Sequence, residues 1–145
     1  MIPTFFKPSR IAHLTSYIII LLLTSLVSTA QWYDPEKVDH NASTVYNLGN
    51  NKAQSEDYIT AAKMMNEALK IEPKFVDAYL SLAGLNASMK NYTLAVANFE
   101  KAFALDSVYR NYYLLPYSCD LAGCGRFVYA LNCLKPFTQN HRIKT

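Results

Sequence analysis

A 34-residue echo constrains this chain more than any other feature. Residues 73–107, PKFVDAYLSLAGLNASMKNYTLAVANFEKAFALDS, restate the skeleton of the stretch before them. Leu48-Gly49 returns as Leu82-Ala83, Ala61 as Ala95, Met65 as Phe99 and Ala68 as Ala102, while Pro73 falls on Ser107. Within the period, apolar residues such as Ile59, Ala62, Met65, Ala68 and Leu69 recur at helical spacing, so each unit reads as a pair of amphipathic helices. Close packing explains the offsets. Small residues at the eighth position (Gly49, Ala83) and the twentieth (Ala61, Ala95) let the two helices approach. Large residues at the fourth, seventh and twenty-fourth (Val45, Leu48, Met65; Tyr79, Leu82, Phe99) fill the space between them. Ala68 and Ala102 leave room for the next helix, and Pro73 ends the second helix near Ile71.

A 34-residue helix–turn–helix unit with small residues at these offsets resembles the tetratricopeptide (TPR) repeat. The expected fold is therefore an all-α solenoid of about three hairpins, over 42–75, 76–109 and 110–138, the third divergent. Ahead of them, 31–41 reads as a capping turn and helix start, with Trp32 and Tyr33 covering the open end of the stack. Asp34-Pro35-Glu36 starts a long first helix that runs to Gln54. Tyr58–Ile71, Val76–Ser88 and Thr93–Leu105 are the next three helices. In the third unit Ala130 lies 35 residues after Ala95, so one residue is inserted. Pro116 is expected to kink or shorten its first helix, and Pro136 to end its second, Phe127–Leu134, early. Residues 139–145 read as a polar, basic tail, without the polar terminal helix that solenoids use as a cap. The C-terminal end is expected to be covered by a partner, by self-association, or by further chain if this is a shortened form of a longer protein.

The first thirty residues have another grammar. Lys7 and Arg10 precede the uncharged run Tyr17–Val27, YIIILLLTSLV, and Ser28-Thr29-Ala30 follows. A basic region, an apolar core and a small-x-small site make 1–30 a secretory signal peptide, with Gln31 as the new N-terminus after cleavage. The competing reading keeps 11–30 as a membrane anchor. Without 1–30 the chain holds twelve basic against eleven acidic residues, and so mixed a charge gives no argument for nucleic acid.

No residue pattern supports catalysis. His40 and His141 are isolated, no serine or cysteine sits in a recognisable nucleophile motif, and no glycine-rich phosphate loop occurs. Glu67, Glu72, Glu100 and Asp106 read as solvated faces. Cys119, Cys124, Cys133 and His141 are spaced C-x4-C-x8-C-x7-H, unlike a structural zinc site. Cys119 and Cys133 could face each other across a hairpin, although small packed residues are the plainer reading. No cofactor or metal is expected. Asn41, Asn86 and Asn91 head glycosylation-type triplets, which matter only in a eukaryotic setting.

What the resemblance implies about function is a binding face formed by the first helix of each unit. Its positions here are Ser43, Tyr46, Asn47, Asn50 and Ala53, then Asp77, Leu80, Ser81, Gly84 and Ala87. The third unit adds Asn111, Leu114, Leu115, Ser118 and Leu121. TPR domains that clamp chaperone C-termini place lysines, an arginine and asparagines on this face, and only Asn50 matches. Tyr46, Leu80 and Leu114 suit an extended apolar peptide or a folded partner domain, with Asn47, Asn50, Asp77 and Ser81 beside them. More closely, QWYDPEKV at 31–38, KFVDAYLSLAG at 74–84, FEKAFALDSVY at 99–109 and YLLPYSCDLAGCGRF at 113–127 resemble the N-terminal TPR segment of Bacteroidetes cell-envelope proteins. In that family the repeats precede a β-propeller-like region and an OmpA-like peptidoglycan-binding domain, and some members serve type IX secretion. Neither later domain is present here, so peptidoglycan binding does not carry over. The resemblance implies a non-enzymatic interaction role in the periplasm or at the outer membrane.

Overall fold

The computed structural model describes residues 33–140, with side chains to 135. The signal or anchor at 1–30, Trp32, His141 and the end of the basic tail lie outside the described residues. Among the described residues no strand occurs, and no helix is long and apolar enough to cross a membrane.

Among the described residues six α-helices follow one 3-10 turn at Pro35–Lys37. They are α1 (His40–Gln54), α2 (Tyr58–Ile71), α3 (Val76–Ser88), α4 (Tyr92–Leu105), α5 (Val108–Gly123) and α6 (Phe127–Asn140). Each packs on the next, in three successive hairpins. The turns between helices one and two of the first two units pass through Glu56 (φ 59°) and Lys90 (φ 61°). These paired left-handed residues sit at equivalent places in the repeat.

The core explains the 34-residue pattern. Ala61, Ala68, Ala83, Ala95 and Ala102 are fully buried, and Met65, Leu82 and Phe99 nearly so. A Cβ at Gly49 would lie 3.0 Å from Met65 Cε and 3.1 Å from Met64 Cβ, so the close approach of α2 leaves a side chain there tight contacts. Val76, Leu80, Val96, Phe99, Phe103, Tyr117 and Leu121 form the largest cluster, spread over α3, α4 and α5. Phe99 is its hub, with ring centroids 5.8 Å from Phe103, 5.8 Å from Tyr113 and 6.0 Å from Tyr117.

Four expectations are corrected. First, the helix expected from Asp34 is interrupted. Asp34 caps only the 3-10 turn, Val38 is extended, and Asp39 takes over as cap of α1 by accepting from the amides of Asn41 and Ala42. Second, Leu48 does not fill a gap: half of it is exposed, whereas Tyr79 packs half-buried against the core. Leu82, one period later, is buried against Ala61 and Met65 of the preceding α2, whereas among the described residues no helix precedes α1. Third, α5, Val108–Gly123, is not shortened by Pro116 but at 16 residues is the longest helix among the described residues. Pro116 is exposed, so the carbonyl its missing amide frees can be solvated. Fourth, α6 does not stop before Pro136 but continues to Asn140, two residues into the expected tail. Asn132, whose carbonyl loses a partner to Pro136, is likewise exposed.

Candidate functional site

The first helices of the hairpins, α1, α3 and α5, meet through side chains, α1 with α3 at Tyr46 and Ser81, and α3 with α5 in the cluster of Leu80, Tyr117 and Leu121. Tyr46 of α1 reaches α3, its hydroxyl 3.2 Å from Ser81 Oγ and its ring 4.8 Å from Phe75. Asn47 is exposed and Asn50 half-buried along the α1 edge. Between them and α5 runs α3, whose Ser81, Gly84 and Ala87 make a floor of small residues. A Cβ at Gly84 would meet nothing within 4 Å, in contrast to Gly49. Glycine inside a helix costs about 1 kcal/mol relative to alanine, and here no packing demand offsets that cost. On the α5 edge Leu114 is half-buried and Leu115 is 59% exposed.

Several residues expected on this face are not available to a ligand. Leu80 is buried in the core between α3, α4 and α5, as is Leu121. Ser118 is buried too, its hydroxyl donating to the Leu115 carbonyl at 2.7 Å. The helical face that meets solvent is thus rotated from Leu80 toward Ser81 and Gly84, because α5 and α4 both close over Leu80. Tyr46, Asn47, Asn50, Asp77, Ser81 and Leu114 remain at least partly open.

The sequence did not reveal how Tyr33 is used. Instead of covering the end of the stack, it crosses to the second and third units. Its hydroxyl donates to Asp77 Oδ2 at 2.8 Å, its amide to Asp106 Oδ2 at 3.4 Å, and its ring meets Tyr109 edge-on at 6.1 Å. Asp106 is therefore no free surface acid: it also accepts from Val108 N at 2.9 Å, at the start of α5. Burial and the Asp77 carboxylate hold the Tyr33 phenol far above its ordinary value. Tyr109 and Tyr113 are also raised, by burial first and then by Asp77. The extended geometry of Val38 sends the preceding residues across the first turns of α3 and α5, and no local pattern encodes that route.

Among the described residues no group of three or more His, Cys, Asp or Glu could hold a metal. Cys119 is exposed, Cys124 and Cys133 half-buried against the core, and all three are free thiols. Asn86 is buried and donates to the Leu82 carbonyl at 2.8 Å, which removes it as a glycan acceptor, while Asn41 and Asn91 are exposed. Glu100 Oε1 accepts from Tyr117 at 3.0 Å and pairs with Arg126 at 3.3 Å, joining α4, α5 and the turn before α6.

Residues 42–75 and 76–109 each match the family model for the tetratricopeptide repeat. Among solved structures the chain is similar to the crystal structure of MamA protein, with a TM-score of 0.60 and 16% identity, over 90% of this chain and 68% of that one. No match was found among curated protein sequences. The chain carries TPR repeats in an all-helical solenoid, and the TPR fold is typically a non-enzymatic scaffold that binds protein partners.

Proposed function

We propose that this TPR solenoid is a non-enzymatic interaction scaffold that holds an extended segment of a partner protein along the concave face of α1, α3 and α5. The observation that carries this reading is Gly84: a helix-interior glycine, exposed, with open space where its Cβ would be, on the helix between those that carry the exposed Asn47 and Leu115. Such a floor admits a partner backbone to close range. Asn47 and Asn50 offer amide donors and acceptors for its peptide groups, and Leu114 and Leu115 offer apolar contact for its side chains. The workplace proposed is the bacterial periplasm or outer-membrane region. The n-region, apolar core and small-x-small site of 1–30 support export, and the segments at 31–38, 74–84, 99–109 and 113–127 support the envelope setting by resemblance.

Photo-crosslinking tests the face. A photoreactive residue placed at Asn47 or Leu115 should trap a protein partner in cells of the native host, and one at Lys63, exposed on α2, should not. Equal trapping at Lys63 would sink the assignment. Sequencing the N-terminus of the mature protein separates export with cleavage, which starts at Gln31, from an anchor retained at 11–30.

A second surface is favoured by the exposure of Phe127 (64%), Val128 (70%) and Leu131 (66%) on α6. Leu131 is the counterpart, across the one-residue insertion, of Val96, which α5 buries to 4%. The reading is self-association through this face. Light scattering over a hundredfold concentration range tests it, and Leu131→Asp should abolish any dimer.

A further inference from the structure

Among the positions lining the proposed groove, Asp77 alone carries a formal charge. It stands in the first turn of α3, where an acid complements the helix dipole, but that role does not explain its neighbours. Tyr33 donates to it from the N-terminal segment and meets Tyr109 edge-on at 6.1 Å, and the Asp77 charge also acts on Tyr109 and Tyr113, one turn apart on α5. Asp77 is paired with a neutral group, the Tyr33 hydroxyl at 2.8 Å. A carboxylate has room for further donors beyond one phenol. Phenol rings add π faces that attract a cation and do nothing for an anion. A carboxylate bonded to one phenol, with a second ring packed on that phenol, is thus complementary to an ammonium or guanidinium group, and the rest of the groove, made of Ser, Asn, Gly, Ala, Leu and Tyr, is uncharged.

We propose that the segment held in the groove carries a lysine or arginine, whose cation is seated among the tyrosines at Asp77. This inference rests on the groove reading above and specifies its ligand as basic, where the sequence suggested an apolar one. The spacing follows from helix geometry. Asp77 and Gly84 are seven residues apart on α3, about 10 Å along the axis, which an extended strand covers in about three residues. The basic residue therefore sits three positions from the residue whose backbone crosses Gly84, and that residue is small.

The experiment uses a random dodecapeptide phage library selected on the full chain, followed by binding of the synthetic consensus peptide to three proteins: wild type, Asp77→Asn and Gly84→Trp. Asp77→Asn keeps an oxygen for Tyr33 and removes the charge; Gly84→Trp fills the floor. Circular dichroism melts confirm that both variants fold. The expected result is a consensus with Lys or Arg three positions from a small residue, affinity lowered about tenfold or more by Asp77→Asn, and no binding to Gly84→Trp. A consensus lacking a basic residue, or one bound equally by Asp77→Asn, overturns the inference while loss on Gly84→Trp keeps the groove. Peptides unaffected by Gly84→Trp, or a library with no enrichment at all, overturn the groove reading and this inference with it.

Discussion

Asp120 should be a liability that one atom of chemistry can remove. It lies on α5 with 4% of its surface exposed, and its Oδ2 has no hydrogen-bond partner. Burial alone raises its carboxyl above the ordinary value of 3.8. One repeat earlier the same position is Asn86, equally buried, whose Nδ2 donates to the carbonyl four residues back at 2.8 Å. Asp120→Asn lets the side chain make that bond to the Pro116 carbonyl on the same helical geometry. An unsatisfied buried polar atom costs about 1–3 kcal/mol and a new hydrogen bond returns about 1 kcal/mol, so the variant is expected to be stabilised by about 1–3 kcal/mol at pH 7. For a domain of this size that is a rise in Tm of about 4–12 °C. The pH dependence has a definite sign. Because the folded carboxyl is the weaker acid, the native state holds a proton that the unfolded state has released, and stability falls as pH rises above about 4. The advantage of Asp120→Asn should therefore shrink as pH is lowered toward 4. Thermal melts by circular dichroism on both proteins at pH 4 and pH 7 read this directly. A variant less stable than wild type at pH 7, or a gain the same at both pH values, would refute the reasoning.

Three further outcomes follow from the packing. Phe99→Ala empties the hub of the aromatic cluster and should cost about 3–5 kcal/mol in chemical denaturation, with loss of near-ultraviolet dichroism. Gly84→Ala should stabilise by about 1 kcal/mol, since its Cβ meets nothing, whereas Gly49→Ala should destabilise, with Met65 Cε at 3.0 Å; paired urea melts compare the two. The Tyr117 phenol is pushed up to about 12 by burial first and its bond to Glu100 second. The native state again keeps the proton longer, so stability should fall as pH rises from about 10 to 12, and Tyr117→Phe should flatten that slope in melts across the range.

Much of the architecture was legible because repeat packing is a local, periodic demand. Ala61, Ala83, Ala95 and Ala102 announce close helix contact by their size, and all are buried where the spacing required. The end of α2 at Ile71 was likewise written in Pro73. The start of α1 was misjudged because two aspartates compete as caps, and Asp39 engages two amides of α1 while Asp34 engages one of the 3-10 turn. The prolines of the third unit were over-read. A proline removes one hydrogen bond, and where the orphaned carbonyl faces water the helix continues.

The binding face was legible as a list of positions but not as a surface. Its membership depends on which side of each helix the neighbours cover: Leu80 and Gly84 are four residues apart on α3, yet one is 6% exposed and the other open. The sequence by itself determined the repeat, the small-residue contacts and the candidate positions, since these depend on residue size and period within one unit. Only the tertiary structure decided that Leu48 stays half exposed, that Asp120 is stranded, and that Tyr33 crosses to Asp77. These depend on whether another helix lies alongside and where a short extended segment is led, and both are set by contacts between residues far apart in the chain.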